Sequence, residues 1–294
     1  MARKQKRSWG ATLTIIPFWA LVLGAYVGTM VWTAFISLTS SKMLPNTTFV
    51  GFDQYRRLFA TERWNIAVHN IVTFGVLMMV LCLVIGFVLA AILDSKIRAE
   101  DTIRTIILYP QALSFIVTGL VWQWMMNPTV GIEKAMHDFG WSSFTFDWLV
   151  TPERAIYALV LAGVWQGCGL VMALMLAGLR GIDQEIWKAA RVDGIPTWRV
   201  YVSIALPMIR PTVVTAVVLM SLSVIKAYDL VVALTGGGPG LSTDVPAKFI
   251  MDFFFTRSNI GLATAACTVM LVFVLVFFTP WFYFEYFREK RGNR

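Results

Sequence analysis

Six apolar runs decide what this chain can fold into. They cover about 11–36, 67–93, 105–126, 153–178, 211–234 and 259–284. At about 20 residues or more, each is long enough to cross the roughly 30 Å of hydrocarbon in a bilayer. Inside lipid the backbone must bond to itself, so such runs are read as helices. Soluble domains carry roughly 25% charged residues, whereas here 14% are charged and 57% are hydrophobic. The expected fold is an all-α membrane protein with six transmembrane helices, forming one domain over residues 1–294.

Six crossings leave both termini on one side, and Lys and Arg choose that side. The amino-terminal tail holds Arg3, Lys4, Lys6 and Arg7, and the carboxyl-terminal tail holds Arg288, Lys290, Arg291 and Arg294. With both tails cytoplasmic, the inner segments carry 16 Lys/Arg, the outer loops carry 7, and Arg154, at the outer end of the fourth run, and Lys226 fall within the bounds of a span. The net charge of +8 therefore reads as membrane topology, and no nucleic-acid partner is expected. The first apolar run is too long for a signal peptide and lacks a small-residue cleavage site, so it is expected to remain as a span. Cys82, Cys168 and Cys267 lie inside spans without a CxxC pattern, and His69 and His137 stand alone, so neither a disulfide framework nor a metal site is expected.

Smaller patterns mark packing and surfaces. Gly24 and Gly28 in the first run, and Gly163 and Gly167 in the fourth, have the spacing that lets helix backbones approach closely. In the first outer loop, Phe52, Tyr55, Leu58 and Phe59 recur at close to helical spacing, as in an interfacial helix. Aromatic anchoring at the headgroups explains the same residues.

The largest inner loop, about 179–210, separates runs four and five. Asp183 fits an N-cap, Gln184 to Val192 a helix with Ile186, Ala189 and Ala190 at i, i+3 and i+4, and Gly194 a left-handed residue that ends it. Pro196 then opens a second helix with Trp198, Tyr201, Val202 and Ala205 on one apolar face, ending near Pro207. The first helix is too poor in apolar area to anchor itself. It suits insertion into a partner's groove, or serves as a solvated connector.

At these residues the chain resembles the membrane permeases of ATP-binding-cassette importers, in the carbohydrate branch that works with an external binding protein. That family's signature is Glu-Ala-Ala, three residues, Gly, nine residues, Ile, any residue, Leu-Pro. Here it reads Lys188-Ala189-Ala190, then Arg191 to Asp193, Gly194, nine residues, Ile204, Ala205 and Leu206-Pro207. The resemblance extends to "FVGFDQYRRLF", "VWQWMMNPTVG" and "YDLVVALTGGGPGLST". It implies that the first loop helix is a coupling helix seated in a cleft of an ATPase subunit. Lys188 stands where the family has Glu, so an ion pair assigned to that Glu does not carry over, and Glu185 on the same face is the candidate carboxylate.

The resemblance also implies partners: a second permease, read as a non-identical homologue, two ATPase domains that hold ATP and magnesium, and an extracytoplasmic sugar-binding protein. No cofactor is expected in this chain, and it is expected not to be an enzyme, since GxxxxGK[ST] is absent and no Gly-Lys pair occurs. Gly236, Gly237, Gly238 and Pro239 lack the lysine of a phosphate loop and are read as an outer turn, by resemblance near the binding-protein interface. Trp165 and Gln166 fall near mid-membrane, where a ring can stack on a sugar and an amide can bond its hydroxyls. Lys226, Tyr228 and Asp229 are the other pathway candidates, with Lys226 and Asp229 spaced to pair on one helix face.

The expected function is transport of a disaccharide, oligosaccharide or α-glucoside across a bacterial-type cytoplasmic membrane, with a polyol or glycerol-phosphate-like substrate as the alternative. A secondary transporter would need intramembrane carboxylates that the spans scarcely offer.

Overall fold

A computed structural model describes residues 16–95 and 97–292. In chain order its helices are α1 (Ile16–Ile36), α2 (Asp53–Ala60), α3 (Glu62–Asp94), α4 (Glu100–Leu108), α5 (Phe115–Met125), α6 (Ile132–Asp138), α7 (Pro152–Arg180), α8 (Gln184–Val192), α9 (Thr197–Met208), α10 (Arg210–Ile225), α11 (Tyr228–Leu234), α12 (Pro246–Met251) and α13 (Ile260–Gly292). Among the described residues, extended segments meet only at an isolated antiparallel bridge between Thr39 and Phe49. Arg3, Lys4, Lys6, Arg7 and Arg294, and the first residues of the first expected span, lie outside the described residues.

Four helices, α1, α3, α7 and α13, are long and apolar enough to span a bilayer. The other two expected crossings are not single straight helices. In the third, α4 continues through the tight turn Tyr109–Ala112 and meets α5 at 101°, and the fifth begins with α10, which meets the loop helix α9 at 75°. The first bend has a local cause: Pro110 lacks an N–H, Leu113 is extended at φ −80° and ψ 146°, and Ser114 caps α5 by accepting from Val117 N at 3.3 Å. The fifth run, expected to be continuous from 211 to 234, breaks after Ile225 and resumes at Tyr228.

Contacts divide the chain into two compact units. The second unit, residues 65–248, contains the larger apolar core. Its most deeply buried element is α7, whose Ala158, Leu159, Ala162, Val171 and Met172 have almost no exposure. A methyl group added at Gly163 would lie 3.1 Å from Met78 Sδ, and one at Gly167 would lie 3.2 Å from Met78 Cε. This pair therefore lets α3 pack closely on α7. Gly24 meets nothing within 4 Å, and Gly28 meets only its own helix's Leu23 carbonyl. Among the described residues, the identical spacing in α1 has no packing role inside the chain.

The first unit comprises residues 1–64 and 249–294. Arg63 is ion-paired with Asp252, and its guanidinium lies 5.6 Å from the centre of the Phe249 ring. α2 packs by Gln54 and Leu58, while Tyr55 exchanges a 2.6 Å hydrogen bond with Ser37. Phe52 and Phe59 are exposed. The four residues expected on one face of α2 are thus divided between two, because α2 turns its Gln54 and Leu58 side into the unit, where Gln54 Nε2 bonds Thr39 O.

Candidate functional site

α8 is capped at both ends by its own sequence. Asp183 Oδ1 accepts from Glu185 N at 3.0 Å, and at the other end Ile195 N donates to Ala190 O at 3.0 Å across Gly194 at φ +67°. That φ is readily open to glycine alone. One side of α8 is packed: Ala190 is buried, Ile186 and Trp187 are half-buried, and the Trp187 ring lies 5.2 Å from that of Tyr201. The opposite side, Glu185, Lys188, Ala189 and Val192, is exposed, as is Asp193. Val192 is 87% exposed, so this face offers a small apolar surface with one charge of each sign. The two alanines expected together lie on opposite sides.

Beneath α8 is a groove of about 900 Å³, lined by Asp94, Glu100, Arg180, Trp187 and Tyr201 among others. Tyr201 donates from its hydroxyl to Asp94 Oδ2 at 2.9 Å, and Arg180 pairs with Glu100 at 2.6 Å. These bonds tie α9 to the end of α3, and the end of α7 to the start of α4. Burial, and then the bond to Asp94, push the Tyr201 phenol well above its ordinary range, so it remains a donor.

α9 turns Val200 and Ala205 inward, with Ile204 and Leu206 half-buried, and Ile209 just beyond it is buried. Of the residues expected on one apolar face, Ala205 is buried and Tyr201 half-buried, while Trp198 and Val202 are exposed. The helix ends at Met208, one residue after Pro207, with Ile209 at φ −89° and ψ 16°, and a π turn over Tyr201–Ala205 precedes that end.

In mid-α7, Gln166 is 4% exposed and its Nε2 donates to Leu113 O at 2.7 Å, at the bend before α5. Its Oε1 is buried without a partner, as are Trp122 Nε1 and Thr118 Oγ1 on α5. Trp165 is half-buried, edge-on to Trp122 with ring centres 5.9 Å apart. The structure thus brings together two indoles and leaves donors and acceptors unsatisfied along the same pair of helices. Lys226 and Asp229 are not brought together as an ion pair. Lys226 caps α10, Asp229 lies in the first turn of α11, and both are exposed, with Tyr228 half-buried.

The turn at Gly236, Gly237, Gly238 and Pro239 is held from within. Thr243 Oγ1 donates to Gly238 O at 2.8 Å, and Asn70 Nδ2 reaches Leu241 O and Asp244 O at 2.9 and 3.0 Å. At Gly237, φ is +92° and an added Cβ would lie 2.9 Å from Lys248 Cε. Asn70, Thr243, Asp94, Tyr201 and Trp122 carry no local sequence signal, since each acquires its partner through tertiary contact. Among the described residues, no group of three or more His, Cys, Asp or Glu could hold a metal ion.

Residues 98–285 match the family of binding-protein-dependent transport system inner membrane components. A probable ABC transporter permease of Pyrococcus horikoshii is 36% identical, over 95% of this chain and 96% of that protein. The xylose/arabinose import permease of Haloferax volcanii is 32% identical, over 97% and 88%. Among solved structures, a bacterial alginate ABC transporter in complex with an alginate pentasaccharide-bound periplasmic protein matches with a TM-score of 0.78 at 22% identity, over 92% of this chain and 93% of that one.

Proposed function

The chain belongs to the binding-protein-dependent transport system inner membrane components, and on that premise we propose that it forms part of the translocation pathway for a carbohydrate delivered by an external binding protein. The observation that carries the reading is α8: a short helix, capped at both ends, whose outer face of Glu185, Lys188, Ala189 and Val192 is left for a partner. A helix of this size suits a cleft in an ATPase subunit, and this chain has no phosphate loop of its own. Arg180, Lys188, Arg191, Arg199 and Arg210 in and around this loop support a cytoplasmic location for it, and with it for both termini.

The carbohydrate assignment rests on the α5–α7 pair. The indoles of Trp122 and Trp165 offer ring faces and edges to sugar C–H groups. The free Trp122 N–H and Gln166 Oε1 are one donor and one acceptor for hydroxyls. The xylose/arabinose permease among the relatives supports the same substrate class. A second permease, which we read as a non-identical homologue, and two ATPase domains complete the assembly. Reconstitution of that assembly with its binding protein tests the reading. ATPase activity should be stimulated by some members of a panel of pentoses, disaccharides, oligosaccharides and polyols. Stimulation by polyols or glycerol phosphate alone would transfer the assignment to that class, and stimulation by none of them would overturn it.

A further inference from the structure

The hairpin after α1 and the helix α2 carry a surface outside the sites described above. Its inner side is settled, for Leu58 and Gln54 are buried and Gln54 Nε2 donates to Thr39 O at 3.0 Å. Its outer side is not. Met43, Leu44, Phe49 and Phe52 are 79, 75, 65 and 71% exposed. One helical turn after Phe52 comes Arg56, exposed and in no ion pair among the described residues, whereas neighbouring Arg57 pairs with Asp53 at 2.8 Å.

Height and charge say what covers this face. α1 is apolar and exposed nearly all round, with Trp32 57% and Phe35 43% exposed in its last turn. The chain passes directly from Ile36 into the hairpin, which is held by Ser40 N to Thr48 O at 3.0 Å and Val50 N to Leu38 O at 2.8 Å. The exposed residues are therefore fixed beside the end of a span, at the level where aromatic side chains meet headgroups. Lys42 and Arg56 border the apolar residues, and the one acid of α2, Asp53, is already neutralised by Arg57. That combination complements an apolar layer topped by phosphates.

We propose that this face is an interfacial anchor, in which Met43, Leu44, Phe49 and Phe52 enter the boundary between headgroups and acyl chains and Arg56 binds a phospholipid phosphate. The proposal rests on α1 crossing a membrane and not on the identity of the transported substrate.

The complete transporter, with the three cysteines of this chain and any accessible ones of its partners replaced by alanine, is spin-labelled at Leu44→Cys or Phe52→Cys. It is then placed in nanodiscs of mixed phosphatidylcholine and phosphatidylglycerol without binding protein. Lipid immersion gives high collision with oxygen and low collision with a water-soluble nickel chelate at both positions. High nickel collision would show solvent exposure, and low collision with both would show a protein partner covering the face; either overturns the anchor. In native mass spectrometry, Arg56→Gln should lower retained phosphatidylglycerol relative to phosphatidylcholine by about fivefold. Unchanged retention would overturn the phosphate assignment.

Discussion

Three buried polar atoms in the middle of the second unit have no partner: Gln166 Oε1, Trp122 Nε1 and Thr118 Oγ1. Leaving such a group unbonded costs about 1–3 kcal/mol, so their presence at one helix pair needs a reason, and a ligand rich in hydroxyls supplies one. Trp122→Phe removes the N–H and keeps an aromatic ring, but also removes part of the buried indole. Thermal stability of the complex should then fall by about 1 kcal/mol at most, the cavity being partly offset by the lost unbonded N–H, while the sugar-loaded binding protein required for half-maximal ATPase stimulation rises about 5–10-fold, the value of one lost hydrogen bond. An unchanged requirement would remove Trp122 from the pathway. Tyr201 is a residue of another kind, structural and far from titration. Its folded pKa is raised above the unfolded value of about 10. The contribution of its protonated form is fully present below that value and is lost only as pH rises through the folded pKa. Tyr201→Phe should therefore lower stability by about 1 kcal/mol equally at pH 6 and pH 8.5, read as a thermal midpoint in detergent. A strong pH dependence between those values would contradict the neutral phenol–Asp94 bond.

At the scale of elements, α8 has two sides with different fates. Ala190 faces its own chain and is 4% exposed, while Ala189 faces outward beside Lys188 and Val192. Ala189→Asp should leave the chain inserted and stable but reduce copurification with the ATPase subunit at least tenfold, because a charge enters a small apolar contact. Ala190→Asp should instead lower the stability of the permease itself. Equal loss of stability in both variants would mean that α8 has no free face. The limits of α8 were legible in sequence because Asp183 and Gly194 act on backbone groups two to four residues away. The close packing at Gly163 and Gly167 was legible in the same way. The inward face of α9 and the break at Lys226 were not. Pro207 marked the end of α9 to within a residue, but the π turn before it changes which side chains turn inward, and Lys226 marked the place of the second break without its charge alone requiring the helix to stop there. Nor could spacing predict that Leu113 would receive the Gln166 amide, since that bond spans 53 residues.

For the whole molecule, the proposed function makes the exposed face of α8 the place where an ATPase subunit acts on this chain. The charge on that helix then sets which ATPase fits. Lys188 stands where the resembled signature carries Glu, and it is exposed on the same side as Glu185. A cleft holding a basic partner for the usual Glu would meet Lys188 with a like charge, which weakens association and excludes the mismatched subunit. The cognate ATPase should therefore present an acidic or uncharged group at that point, or contact Glu185 instead. Lys188→Glu should weaken sugar-stimulated ATPase activity about 3–10-fold with the native ATPase, or about 0.7–1.4 kcal/mol, the scale of a partly exposed charge contact. The same variant should improve activity with an ATPase taken from a Glu-bearing relative. Equal activity in both pairings would show that Lys188 is solvated in the assembled transporter, and that recognition lies with Ala189 and Val192 alone.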